Sequence, residues 1–396
     1  MNTKVEVDQT ESVDSVFDKL VEDFTQNHDK PKLIQIMYDF CVKDTTTPQQ
    51  IYELKKKLEL EFSKKVDCQY CFAFSTPVNY GCDLREIFYD RENNLTPGDL
   101  TNKLLDIFNR KKLPDIWHIM TDIDDTLYPN TEHGTYIAGA DVSWRQKQPY
   151  PGIIQFYQTF YEKLPEHARY STILSATPGC LKPSKLEDKP ETLHKILGRT
   201  YGFIQGPEGK MQIASHTGDI IGNFFDHNIH PTHETDSAKL NPLFTLFGNT
   251  KFERFKQYAR IFPEYKILFL GDNGQGDVLA GRQMLEHDPR CFVFIHAISK
   301  DGKTYTTAVS DDKLKRRMSF FRNYSEVAYK LKILRLFNVA DVQAIKDAIE
   351  NDVQTEPSFQ SLYLPYIHTK QHEVLGGGKT RKRRTIKRRR NGRKTR

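Results

Sequence analysis

Ile116-Trp117-His118-Ile119-Met120-Thr121-Asp122-Ile123-Asp124-Asp125-Thr126 runs from a short, mostly apolar stretch straight into a cluster of carboxylates. An apolar run of strand length that ends on charged groups predicts a buried strand with functional side chains at its C-terminal end. Downstream the pattern alternates. Residues 152–164 read as a helix, 171–174 as a strand, 252–261 as a helix, 265–270 as a strand, 278–285 as a helix and 292–296 as a strand. Strands alternating with helices predict an α/β fold with a parallel sheet. Residues 179–250 interrupt the alternation as a long polar insertion. Residues 325–350 predict two closing helices, with Val327, Leu331 and Leu334 on one face. The basic, aromatic stretch 313–321 reads as a half-buried helix, or alternatively as an interface segment.

Upstream of the opening run the character is helical. Val16, Leu20 and Phe24 recur at a spacing of four, and Ile51, Leu54 and Leu58 form a similar stripe. Pro31 and residues 45–48 punctuate these helices. The expected organisation is a mainly helical N-terminal region, 1–112; an α/β domain, 113–365, carrying the insertion; and a basic tail, 366–396, of disordered composition. A chain of 396 residues suits such a core with additions. The overall charge of +6 is misleading, because residues 379–396 hold 12 Lys or Arg and no acid. The remaining chain is therefore at −6.

Residues 1–30 are acidic and polar, unlike a secretion signal. No apolar stretch reaches the roughly 20 residues that span a bilayer. Six cysteines without such a signal fit a reducing compartment. The expectation is cytoplasmic residence, with peripheral attachment to membrane as an extension of it.

Four pieces follow one another in order: residues 122–126; Ser175, within Leu174-Ser175-Ala176-Thr177-Pro178; Lys251, expected to open a helix; and Gly271-Asp272-Asn273-Gly274-Gln275-Gly276-Asp277. Each falls at the C-terminal end of an expected strand or in a nearby loop, where open parallel sheets bind ligands. Together they suit phosphoryl transfer. Asp122 can attack phosphorus and carry an aspartyl-phosphate. Asp124, two residues on, can protonate the leaving alkoxide and then activate water. An anionic nucleophile meeting an anionic phosphate calls for a cation. Mg²⁺ takes few carboxylates alongside phosphate oxygens and water, and Asp122 with Asp272 would supply them. Asp277 would orient a metal-bound water, while Ser175 and Lys251 would hold the phosphoryl group. A calcium loop of the EF-hand type is excluded, since Leu127 and His133 stand where its Gly and Glu belong.

These motifs, with Pro149-Tyr150-Pro151-Gly152 and Phe262-Pro263, resemble the haloacid dehalogenase-like (HAD-like) phosphatases. Within them the sequence is most similar to the catalytic domain of the actin-patch-type phosphatidate phosphatases, over residues 115–340. The resemblance implies a Rossmann-like core and Mg²⁺-dependent conversion of phosphatidate to diacylglycerol. It also implies substrate contacts from Thr177 and Gln275, and a backbone carbonyl of Asp124 on the metal. Thr177 stands where that family usually has Ser, Val278 replaces a common Pro, and the insertion is longer than usual. A soluble phosphate monoester is the alternative substrate.

Other features lead less far. Gly376-Gly377-Gly378-Lys379-Thr380 lacks the leading Gly of a phosphate-binding loop, since Glu373 stands there. Cys68 and Cys71 with Cys82 lack a fourth zinc ligand and read as buried thiols. His227, His230 and His233 read as loop surface. The tail could contact nucleic acid or anionic membrane, so a binding protein acting through it is the reading from another class. Its composition resembles tails on proteins of large DNA viruses.

Overall fold

The computed structural model describes residues 12–27, 29–63, 84–89, 95, 98–129, 140–146, 148–174, 242–274, 276–305 and 316–368. The chain enters through helices α1 (Val13–Asn27), α2 (Lys30–Cys41), α3 (Pro48–Ser63), α4 (Leu84–Phe88) and α5 (Gly98–Arg110). Pro31 marks the start of α2, where a missing N–H costs nothing, and Asp29 caps it by accepting from the Lys32 N–H at 3.1 Å.

Strand β1 (Ile116–Thr121) follows, then α6 (Ile153–Glu162), β2 (Ser171–Ile173), α7 (Pro242–Ile261), β3 (Tyr265–Asp272), α8 (Asp277–His287) and β4 (Phe292–His296). The described chain closes with β5 (Met318–Phe321), α9 (Tyr324–Ile333), α10 (Val339–Gln354) and α11 (Gln360–His368). The five strands among the described residues are all parallel, in the order β2-β1-β3-β4-β5. The chain leaves β1 for β2 on one side and returns to β3 on the other. That reversal places a crevice at the C-terminal ends of β1 and β3.

Alternation along the strands sorts their side chains to two faces. Met120, Ile267, Phe269, Val293 and Ile295 join a buried cluster with Phe255, Tyr258 and Met284 of α7 and α8. Leu33, Leu54, Leu58 and Phe108 from the N-terminal helices belong to the same cluster, so those helices cover that face. Ile119, Leu268, Leu270 and Phe294 meet Phe156, Val327, Ile345 and Tyr363 on the other face. The N-terminal helices are also joined to the sheet by charge. Lys55 Nζ donates to the Ile261 carbonyl at 2.8 Å and to Glu264 at 2.8 and 3.0 Å, both side chains being buried.

Two expectations are corrected. The stretch expected as a half-buried helix gives the edge strand β5, because Met318, Phe320 and Phe321 are buried on its two faces while the Arg317 carbonyl accepts from Val293 N–H at 2.8 Å. Four residues are too few for helical and alternating patterns to be told apart. Helix α7 begins at Pro242, well before residue 252, so residues 242–250 belong to it and not to the insertion. Gly248 and Asn249 hide this in the sequence, while proline is accommodated in a first turn. The rest of the insertion and residues 369–396 lie outside the described residues, while 366–368, expected in the tail, end α11. Among the described residues, no helix is long and apolar enough to cross a membrane.

Candidate active site

Beyond β1 the ladder extends one residue further, as Asp122 N–H donates to the Leu270 carbonyl at 2.9 Å. The chain then turns. Leu127 N–H reaches the Ile123 carbonyl at 2.8 Å, and Asp125 N–H reaches the Tyr128 carbonyl at 2.9 Å. Tyr324 Oη braces the turn by donating to the Thr126 carbonyl at 2.7 Å. Asp122, Asp124, Asp125 and Thr126 are all buried.

Opposite this turn, β3 ends in Gly271 and Asp272. A Cβ at Gly271 would lie 2.4 Å from Asp277 Oδ2, so glycine is needed for the Asp277 side chain to fold back over the strand end. There Asp277 Oδ2 accepts from Asp272 N–H at 3.2 Å, and Asp272 Oδ1 accepts from Gly274 N–H. A second close approach brings α7 in. A Cβ at Gly276 would lie 2.5 Å from Gly248 N, which no larger residue permits. Lys251, three residues beyond Gly248 on the same helix face, is thereby directed into the site. Its ammonium lies 3.0 Å from Asp122 Oδ1 and donates to Asp277 Oδ1. Lys251 therefore sits mid-helix, not at a helix start as expected.

Single carboxylate oxygens of Asp122, Asp272 and Asp277 lie within 4.8 Å of one another, all three residues buried. Asp277 has both oxygens engaged. Asp122 Oδ2 and Asp272 Oδ2 are buried with no hydrogen-bond partner among the described residues. Burial pushes the Asp122 carboxyl up to about 7, with Lys251 opposing and Asp277 reinforcing. Burial raises Asp272 well above the carboxylate range, reinforced by Asp277, Asp125 and Asp122. For Lys251 burial acts against the charge, but Asp122, Asp277 and Asp272 outweigh it and hold the ammonium above its ordinary value. Several crowded, desolvated carboxylates facing one ammonium leave negative charge uncompensated. With two of its oxygens partnerless, this trio could hold a metal ion.

The structure thus brings together Asp122, Lys251, Asp272 and Asp277. Asp124 lies on the same turn, bridged to Tyr128, and its carboxylate stands outside the trio. Ser175, Thr177 and Gln275 lie outside the described residues. So do Cys68, Cys71, Cys82, His227, His230 and His233, whereas Cys41 and Cys291 are buried free thiols.

The sequence reading missed a supporting layer. Asp141 Oδ1 accepts from Ser299 N–H at 2.7 Å and Ser143 N–H at 3.1 Å, and its Oδ2 accepts from Ser143 Oγ at 2.6 Å and from Tyr150 Oη. Asn273 Oδ1 accepts from Ile298 N–H at 3.0 Å. His296, closing an expected strand, carried a positional signal; Asp141 carried none. No protein-family model matches this chain, and neither a curated protein nor a solved structure matches it.

Proposed function

We propose that this protein is a Mg²⁺-dependent phosphatase that hydrolyses a phosphate monoester through an aspartyl-phosphate on Asp122. The observation that carries this reading is the pairing of buried, partnerless Asp122 Oδ2 and Asp272 Oδ2 with the Lys251 ammonium 3.0 Å from Asp122 Oδ1. Asp122 and Asp272 would hold the cation, which when bound neutralises charge between nucleophile and phosphate. Asp277, with both oxygens engaged, suits an orienting role.

Asp122 attacks phosphorus, the bond to the substrate alkoxide breaks, and Asp124 gives that alkoxide its proton. Asp124, now a carboxylate, takes a proton from water as the water attacks phosphorus. Phosphate leaves and Asp122 is regenerated. Lys251 offsets charge on the transferring group, and Ser175 would donate a hydroxyl hydrogen bond to it. The motif order and the 2-1-3-4-5 strand order support a HAD-like assignment. Phosphatidate as substrate rests on the motif resemblance that includes Gln275. A cytoplasmic enzyme held at anionic membrane by its basic tail accords with that substrate.

The test is phosphate release from phosphatidate in detergent micelles and from a panel of soluble monoesters, with and without Mg²⁺. Release from phosphatidate that needs Mg²⁺ and vanishes in Asp122→Asn supports the reading. Release from soluble monoesters alone removes the lipid substrate, and no release from any substrate removes the phosphatase.

A further inference from the structure

Asp125 has φ 56°, in the left-handed region that a non-glycine residue occupies at a cost. Contacts on both sides hold it there. Its Oδ2 accepts from the backbone N–H groups of Ala140 and Asp141, the latter at 3.1 Å. Its carbonyl faces His296 Nδ1 at 2.8 Å. A carbonyl cannot donate, so the imidazole carries its proton on Nδ1. Both anchors are themselves fixed. Asp141 is braced by Ser143, Tyr150 and Ser299, and His296 is the register partner of Asp272 across β3 and β4. The turn bearing Asp122 is thus tied to the strand pair that sets Asp272.

We propose that Asp125 is a positioning residue that fixes the separation of Asp122 from Asp272 and so builds the cation site. It acts through the backbone of the turn, since its own carboxylate is not one of the clustered three. The proposal rests on the metal-dependent reading above, and losing an anchor behind a metal ligand costs about ten- to a hundredfold in affinity.

The experiment titrates Mg²⁺ and Mn²⁺ by calorimetry into the full chain and into Asp125→Asn, Asp125→Ala and Asp125→Gly. Folding is checked by circular dichroism, and kcat and KM for phosphate release are measured in parallel. Asparagine keeps an acceptor and tolerates positive φ, so its affinity should stay within about threefold of wild type. Alanine loses the acceptor; glycine also loses it but adopts the backbone freely. Both should bind metal about ten- to a hundredfold more weakly, with kcat falling and KM little changed.

Should alanine fail to fold, glycine carries the test. A glycine variant equal to wild type overturns the proposal, as does an asparagine variant as weak as glycine, or a wild type that binds neither metal. Metal affinities in the expected order without phosphate release from any substrate would leave the positioning role standing and remove the phosphatase.

Discussion

The Lys251 ammonium lies 3.0 Å from Asp122 Oδ1 and also donates to Asp277, so one buried cation serves a carboxylate beyond a strand end and another at a helix start. Asp122 comes from the turn after β1, Asp277 from the start of α8, and Lys251 from the middle of α7. The glycine contact between 248 and 276 lets the three meet.

Removing that cation should cost both stability and turnover. Lys251→Met leaves Asp122, Asp272 and Asp277 buried without it, and losing one partner of a buried ion pair costs about 3–5 kcal/mol. Urea unfolding should show this loss, partly recovered by adding Asp277→Asn or Mg²⁺. Phosphate release should fall by at least about a hundredfold.

Gly271→Ala should damage the site through shape alone. Its Cβ would lie 2.4 Å from Asp277 Oδ2, whereas a Cβ at Gly98 would meet nothing within 4 Å. Overpacking at Gly271 should cost about 1–3 kcal/mol and weaken metal binding. Gly98→Ala should stay within about 0.5 kcal/mol of wild type. Thermal melts with and without Mg²⁺ compare the two.

The N-terminal helices should unfold together with the sheet. Lys55→Met strands Glu264 and should cost about 3–5 kcal/mol, most of it regained in Lys55→Met with Glu264→Leu. Fluorescence and circular dichroism should report one coincident urea transition for wild type. Early melting of the helices alone would count against their shared core.

His118, stacked on Tyr265 at 4.2 Å and hydrogen-bonded to Thr172 at 2.9 Å, should give a pH signature. Burial, helped by Lys56, lowers its pKa from 6.5 to about 3. Between those values the unfolded chain binds a proton that the folded chain refuses, so stability falls as pH falls through this window. The slope reaches about 1.4 kcal/mol per pH unit. Asp122 and Asp272, raised by burial, act with the opposite sign, so the measurement is the difference between wild type and His118→Phe. That difference should shrink steadily as pH drops from about 6.5 to about 3.

The sheet was readable because buried parallel strands write themselves as largely apolar runs, as residues 116–120, 265–270 and 292–296 do, whereas 171–174 is half polar and stood out by its β-branched Thr172 and Ile173. Strand β5 was not readable, since Met318-Ser319-Phe320-Phe321 fits a helix as well as an edge strand. Asp122, Lys251, Asp272 and Asp277 were legible through their order after those strands. Lys251 was misplaced within its helix because Gly248 looks like a break, whereas here it is a contact point. Asp125 was seen only as one of several acids; its anchors at 140 and 296 are far away in sequence and depend on tertiary closure. Asp141 left no local trace, being recognisable only once Tyr150 and Ser299 surround it.

The most direct measurement is acid-quench trapping with phosphatidate labelled in its phosphate, followed by peptide mapping. The phosphatase account expects hydroxylamine-labile label on the peptide containing Asp122, dependent on Mg²⁺ and missing from Asp122→Asn. Mg²⁺-dependent turnover that persists in Asp122→Asn and leaves no label on that peptide would contradict it.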